Sequence, residues 1–156
     1  MRNAVRAAVV IVAVAALYWL CVLPYRGNLV MREVTERSSL ARLAEPSRTA
    51  VLARENLAML EQIARSRRLD PAWYMLYAAN CQLLGRLPQA ADAYTRALRI
   101  DDRPELYANR AGVLLALGQT DAAVADYVRA ARFNPHVLDE LGGDLRARVA
   151  AAAGVP

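Results

Sequence analysis

PAWYMLYAANCQLLGRLPQAADAYTRALRIDDR, residues 71–103, and PELYANRAGVLLALGQTDAAVADYVRAARFNPH, residues 104–136, align without a gap at an offset of 33 residues. Among the positions that coincide are Pro71 with Pro104, Tyr74 with Tyr107, Ala78 with Ala111, Leu84 with Leu117, Gly85 with Gly118, Ala90 with Ala123, Tyr94 with Tyr127 and Ala97 with Ala130. Self-similarity at this period marks stacked supersecondary units. The punctuation within each unit reads as helix, turn, helix. Asp70 ahead of Pro71 places a capping carboxylate before a proline at the first helical position, where the missing N–H costs nothing. Pro104 opens the second unit in the same way. Leu76, Leu83 and Leu84, then Leu106, Leu114 and Leu117, recur at helical spacing. Gly85 and Gly118 follow directly and suit a left-handed C-terminal cap. A second helix is expected in each unit, over 88–100 and 120–133. Close crossing of the two helices demands small residues, which the six paired alanines supply, while Tyr94 and Tyr127 fill the gap toward the next unit.

The series of aromatic, small residue, Leu-Gly, Ala, Tyr, Ala and an acidic or Asn-Pro exit resembles the tetratricopeptide repeat. It departs from that pattern at Asp102, where proline is usual. The resemblance implies an all-α solenoid that binds proteins instead of catalysing a reaction. It also implies a concave face built from the first helix of each unit. That face maps onto Ala72, Met75, Ala79, Gln82 and Leu83, and onto Glu105, Ala108, Gly112, Leu115 and Ala116. Family members that grip the C-terminal carboxylate of chaperones use lysine, arginine and asparagine there, and none of these ten residues is of that kind. A shallow, mostly apolar groove suits a helix or an apolar segment. The chain's own C-terminal helix is the competing occupant.

Two units cannot hide their apolar faces alone, so the flanks matter. Residues 26–69 read as a stalk and a degenerate helical pair. Leu29, Val30, Val34, Leu40 and Leu43 belong to its first helix, and Val51, Leu52, Leu57, Leu60, Ile63 and Ala64 to its second. Residues 137–156 read as a C-terminal capping helix and tail, interrupted at Gly142-Gly143, with Asp144 as cap and Arg146 and Arg148 on the outer face.

Residues 1–6 form a short basic tail, and no residue from 7 to 23 is charged. With Tyr18, Trp19 and Tyr25 as interfacial aromatics, 7–25 reads as a transmembrane helix at the lower limit of length. A cleaved signal peptide is the alternative, with Ala13-Val14-Ala15 as the cleavage site. Against it, the apolar run continues through Leu23. A lipid-modified Cys21 is disfavoured by the bulky Trp19 and Leu20. Arg2 and Arg6 hold the short tail on the cytoplasmic side. The expected localisation is therefore a single-pass protein of a bacterial inner membrane, with its repeats in the periplasm.

The formal charge is +5 and every basic residue is arginine. Residues 1–46 carry six arginines against three glutamates and residues 47–69 five against two, whereas residues 70–136, the two repeats with their leading Asp70, balance to zero. Arg65, Arg67 and Arg68 read as a solvated helix end or as a contact to anionic headgroups. No basic patch is interleaved with aromatics in the repeats, so nucleic acid is not an expected partner. Cys21 and Cys81 cannot pair in this architecture. His136 stands alone, which makes no metal site, and no nucleophile motif or phosphate loop occurs. Asp101-Asp102 and Asp139-Glu140 read as helix caps. The expectation is a non-enzyme without cofactor, metal or small-molecule substrate: a membrane-anchored scaffold or assembly adaptor binding proteins in an envelope complex. A fixed small subunit of a membrane complex, or a secreted binding module after signal cleavage, is the alternative.

Overall fold

The computed structural model describes the backbone of residues 2–65 and 69–155, with side chains over 9–20, 26–65 and 69–155. Along these run α1 (Arg2–Leu17), a π-helical turn (Tyr18–Val22), α2 (Leu23–Leu43), α3 (Pro46–Ala64), α4 (Pro71–Leu83), α5 (Leu87–Leu98), α6 (Pro104–Ala116), α7 (Thr120–Phe133), a 3-10 turn (Pro135–Glu140) and α8 (Gly143–Ala153). No strand occurs among the described residues. From α2 onward each helix packs on the next through to α8, and α2 also touches α4. The result is a row of helical hairpins: α2 with α3, α4 with α5, α6 with α7.

Local chemistry sets the hairpin boundaries. The Asp70 carboxylate accepts from the Trp73 backbone N–H at 2.8 Å, with Pro71 behind it. Both inter-helix turns close identically. Gly85 and Gly118 take φ of 68° and 75°. The Gly85 N–H bonds the Gln82 carbonyl and the Arg86 N–H reaches back to Cys81; Gly118 and Gln119 repeat this on Leu115 and Leu114. This paired closure is the Schellman motif, and it needs a left-handed residue. A Cβ on Gly118 meets nothing within 4 Å, so its replacement isolates the backbone strain. Gly118→Ala is expected to cost about 1–2 kcal/mol in urea unfolding with helix content unchanged.

The crossing alanines (Ala78, Ala90, Ala97, Ala111, Ala123, Ala130) are all fully buried. Tyr94 sits in one apolar cluster with Leu106 and Val113 of the following hairpin. Tyr127 sits in a second, with Leu138, Leu141 and Val149. Burial pushes the Tyr94 hydroxyl up to about 12, and it donates to Gln82 Oε1 at 2.9 Å. A third cluster joins Val34, Leu60, Ile63, Trp73 and Leu76 across α2, α3 and α4. Between these helices lies a buried polar knot. Asn56 Nδ2 donates to Asn80 Oδ1 (3.0 Å) and Ser38 Oγ (3.3 Å), and Asn80 Nδ2 donates to Ser38 Oγ (2.9 Å) and the Leu76 carbonyl (2.8 Å).

Several local expectations change. In α2, Leu29, Leu40 and Leu43 are exposed, because the inward stripe runs through Val34, Ser38 and Ala41 on the opposite side. α8 begins at Gly143, so Asp144 lies within its first turn and is not its cap. Asp102 does not cap α6: its carboxylate accepts from the Tyr107 hydroxyl at 2.5 Å, while Asp101 pairs with Arg103. Asp139 likewise turns to His136 and Arg146.

The membrane-spanning assignment of 7–25 is contradicted. Among the described residues no helix is long and apolar enough to cross a membrane. α1 has 16 residues and includes Arg2 and Arg6; at about 1.5 Å per residue it rises some 24 Å, short of a hydrocarbon layer of roughly 30 Å. The chain then passes through the π-helical turn into α2, which carries Arg26, Arg32 and Arg37. The apolar composition continues straight through this change of helix, so the residue types alone read as one span. The single-pass inner-membrane localisation falls with it. The readings placed on the side chains of Cys21 and Tyr25, and on Arg67 and Arg68, lie outside the described residues.

Candidate protein-binding faces

Two sides of the hairpin row present chemistry, and α4 separates them. At 100° per residue, Ala72, Met75, Ala79, Gln82 and Leu83 fall on one side of α4, while Trp73, Tyr74 and Tyr77 fall on the other.

On the first side, the ten residues mapped from the repeat pattern are largely drawn into the protein's own packing. Ala79 is buried; Ala72, Met75, Gln82, Leu83, Ala108, Gly112 and Leu115 are half-buried; Glu105 and Ala116 are exposed. Met75 packs against the cluster around Tyr94. Ala108 and Leu115 pack against the cluster that also holds Leu138, Leu141 and Val149. Gln82 is engaged by Tyr94, and a Cβ at Gly112 would stand 3.7 Å from the Tyr127 hydroxyl.

On the second side is a cavity of about 510 Å³ that none of the ten lines. Its floor is α4, through Trp73, Tyr74 and Tyr77; its walls are the end of α3, with Glu61 and Ala64, and the outer face of α5, with Asp92, Ala93 and Arg96. The Trp73 indole N–H donates to the Leu60 carbonyl at 3.0 Å, which fixes the ring. Tyr77 stacks on it with centroids 5.0 Å apart, and Tyr74 meets it edge-on at 5.2 Å. Burial raises the Tyr77 hydroxyl above its ordinary value, and the Cys81 and Glu61 side chains add to the rise. The run Trp73-Tyr74 with Tyr77 one turn later is legible as an aromatic face, but the repeat pattern maps binding to the other side of the helix.

A smaller cavity of about 310 Å³ lies one unit further on, lined by Asp102, Tyr107, Arg129, Arg132 and Phe133. Tyr107 and Arg129 are the 33-residue counterparts of Tyr74 and Arg96. Here the chain supplies its own cations: the Arg129 and Arg110 guanidinium carbons stand 5.4 and 5.9 Å from the Tyr107 ring centre. Arg129 also donates to the Tyr107 hydroxyl at 3.0 Å.

No protein-family model matches the chain, and no curated protein does. Two solved structures are similar to it. One is TTC0263, a thermophilic TPR protein of Thermus thermophilus, with 25% identity over 90% of this chain and 70% of that one and a TM-score of 0.66. The fold is an all-helical, tetratricopeptide-like solenoid. The other is PcrH, solved in complex with the chaperone binding region of PopB, with 18% identity, a TM-score of 0.50, and coverage of 78% of this chain and 94% of that one. The second likeness carries the architecture alone. Within this solenoid, α4–α5 and α6–α7 are the hairpins of the two aligned segments.

Proposed function

We propose that this protein is a non-catalytic protein-interaction module, an adaptor or scaffold that docks a helix or apolar segment of a partner on the face shared by α4 and α6. The observation that carries the reading is the unbroken row of hairpins from α2 to α7, an architecture shared with a TPR protein and with PcrH, itself solved with a segment of PopB. Tetratricopeptide-like solenoids are binding scaffolds, and a solenoid offers a long continuous surface without a reactive centre. The docking face comprises Ala72, Met75, Ala79, Gln82 and Leu83 of α4, with Glu105, Ala108, Gly112, Leu115 and Ala116 of α6. Affinity there comes from apolar burial, since Glu105 alone among the ten is charged.

The packing decides how this is tested. Met75 and Leu115 contribute to the apolar clusters, so charging them disturbs the fold as well as the face. Glu105 and Ala116 are exposed and are the clean probes. Ala116→Arg together with Glu105→Arg is expected to leave the circular dichroism spectrum unchanged and to lower partner capture in crosslinking from native extracts at least tenfold. Capture of the same proteins at undiminished yield overturns the assignment of this face.

A second reading, a fixed subunit of a stable protein complex, is favoured by the exposed apolar residues of α1. Ile11, Val12 and Leu17 are each more than 60% exposed, an unusual density for a monomer surface. A stoichiometric set of co-purifying proteins separates it from a dissociable adaptor.

A further inference from the structure

We propose that the cavity between α3 and α5 is a second docking site, which receives an arginine side chain of a protein partner against Tyr74 and Tyr77. The site lies on the opposite side of α4 from the adaptor face, and the inference does not depend on that reading.

The two repeats treat the same aromatic position differently. At Tyr107 the chain places two of its own guanidinium groups over the ring, from Arg110 and Arg129. The negative face of an aromatic ring attracts a cation, and a guanidinium stacks there more readily than an ammonium because it is planar and more weakly hydrated. In the preceding unit the counterpart of Arg110 is Tyr77, and the counterpart of Arg129 is Arg96. Arg96 is turned along its own helix to Asp92, at 2.9 Å. Among the described residues no cation is placed over Tyr74 or Tyr77, and a cavity of about 510 Å³ opens where the next unit has its arginines.

The charge at the rim points the same way. Of the charged groups lining the cavity two are carboxylates, Glu61 and Asp92, and one is Arg96. The Glu61 carboxylate makes no hydrogen bond or ion pair among the described residues. The Asp92–Arg96 pair is exposed on both sides, and an exposed i,i+4 pair is held weakly enough to exchange partners. The volume has room for one long side chain and the apolar flanks of the segment that carries it, against Ala64, Leu69 and Ala93.

The test uses the full chain and Nα-acetyl-arginine amide, with the neutral isostere Nα-acetyl-citrulline amide as control. Arginine amide is expected to bind saturably in the millimolar range, shifting backbone amide resonances of Tyr74, Tyr77 and Ala93. The citrulline compound should bind at least tenfold more weakly, and Glu61→Gln, an exposed position, should weaken arginine amide roughly threefold. Ala116→Arg on the adaptor face should leave this binding untouched, so the two sites fail independently. Equal binding of citrulline amide, no saturable shift, or shifts confined to residues outside the cavity overturns the proposal.

Discussion

Asn80→Leu is expected to lower the unfolding free energy by about 2–5 kcal/mol, a large share of the 5–15 kcal/mol typical of a domain this size. Asn80 and Asn56 are fully buried and Ser38 nearly so, and their side chains satisfy one another. Both Nδ2 protons of Asn56 and both of Asn80 have acceptors in this knot, and Asn56 Oδ1 accepts from Arg37 Nε at 2.9 Å. Leucine preserves volume but removes the acceptor for Asn56 and the donor to Ser38. Each buried group left unpaired costs about 1–3 kcal/mol. The triple variant Ser38→Ala, Asn56→Leu, Asn80→Leu removes the buried orphans of the knot together and should recover most of the loss. It frees only Arg37 Nε, whose guanidinium is partly exposed and keeps Glu33 and Glu55. Urea unfolding followed by far-ultraviolet circular dichroism measures both. A loss below about 1 kcal/mol for Asn80→Leu, or a triple variant weaker than the single one, would show that the knot does not hold α2 and α3 on α4.

That knot marks where the sequence stops being transparent. Repetition exposes the parts of the fold that depend on residue size and backbone conformation: Gly85 and Gly118 at left-handed turns, six alanines at helix crossings, Tyr94 and Tyr127 as plugs. These requirements recur with the unit, so they recur in the alignment. Asn56 and Asn80 occur once each. Asn56 sits in line with Leu60 and Ile63, one turn apart on α3, and a polar residue on an apolar stripe is the available signal. A pattern built on hydrophobicity passes over it. In α2 the same preference for large apolar residues selects Leu29, Leu40 and Leu43 beside Val34 and passes over Ser38 and Ala41. The apolar leader misleads for a different reason: composition cannot register a π-helical turn, which changes the pitch without changing the residue types. The aromatic cavity is hidden because it needs three helices, and the relative placement of α3 and α5 is set by packing that no single helix encodes.

Arg110→Met should cost about 3–5 kcal/mol, and it probes how the second repeat differs from the first. Asp126 on α7 is 4% exposed. Both of its oxygens accept from Arg110, at 2.7 Å from Nε and 2.8 Å from Nη2, while Arg110 Nη1 donates to Thr95 on α5 at 3.0 Å. One guanidinium thus joins three helices. The equivalent positions of the first unit, Tyr77 and Ala93, carry no charge, so the solenoid does not require an ion pair here. Taking both charges out of water costs nearly as much as their attraction returns, but removing one partner strands the other. Methionine fills the stem volume of arginine and leaves the Asp126 carboxylate without its cation, which is the source of the loss. The double variant Arg110→Met, Asp126→Leu should therefore return to within about 1–2 kcal/mol of the parent, and a double-mutant cycle should give a coupling energy of several kcal/mol. If the two single losses simply add in the double variant, the pair acts through shape and not through charge. The link between α5, α6 and α7 would then rest on the apolar cluster alone.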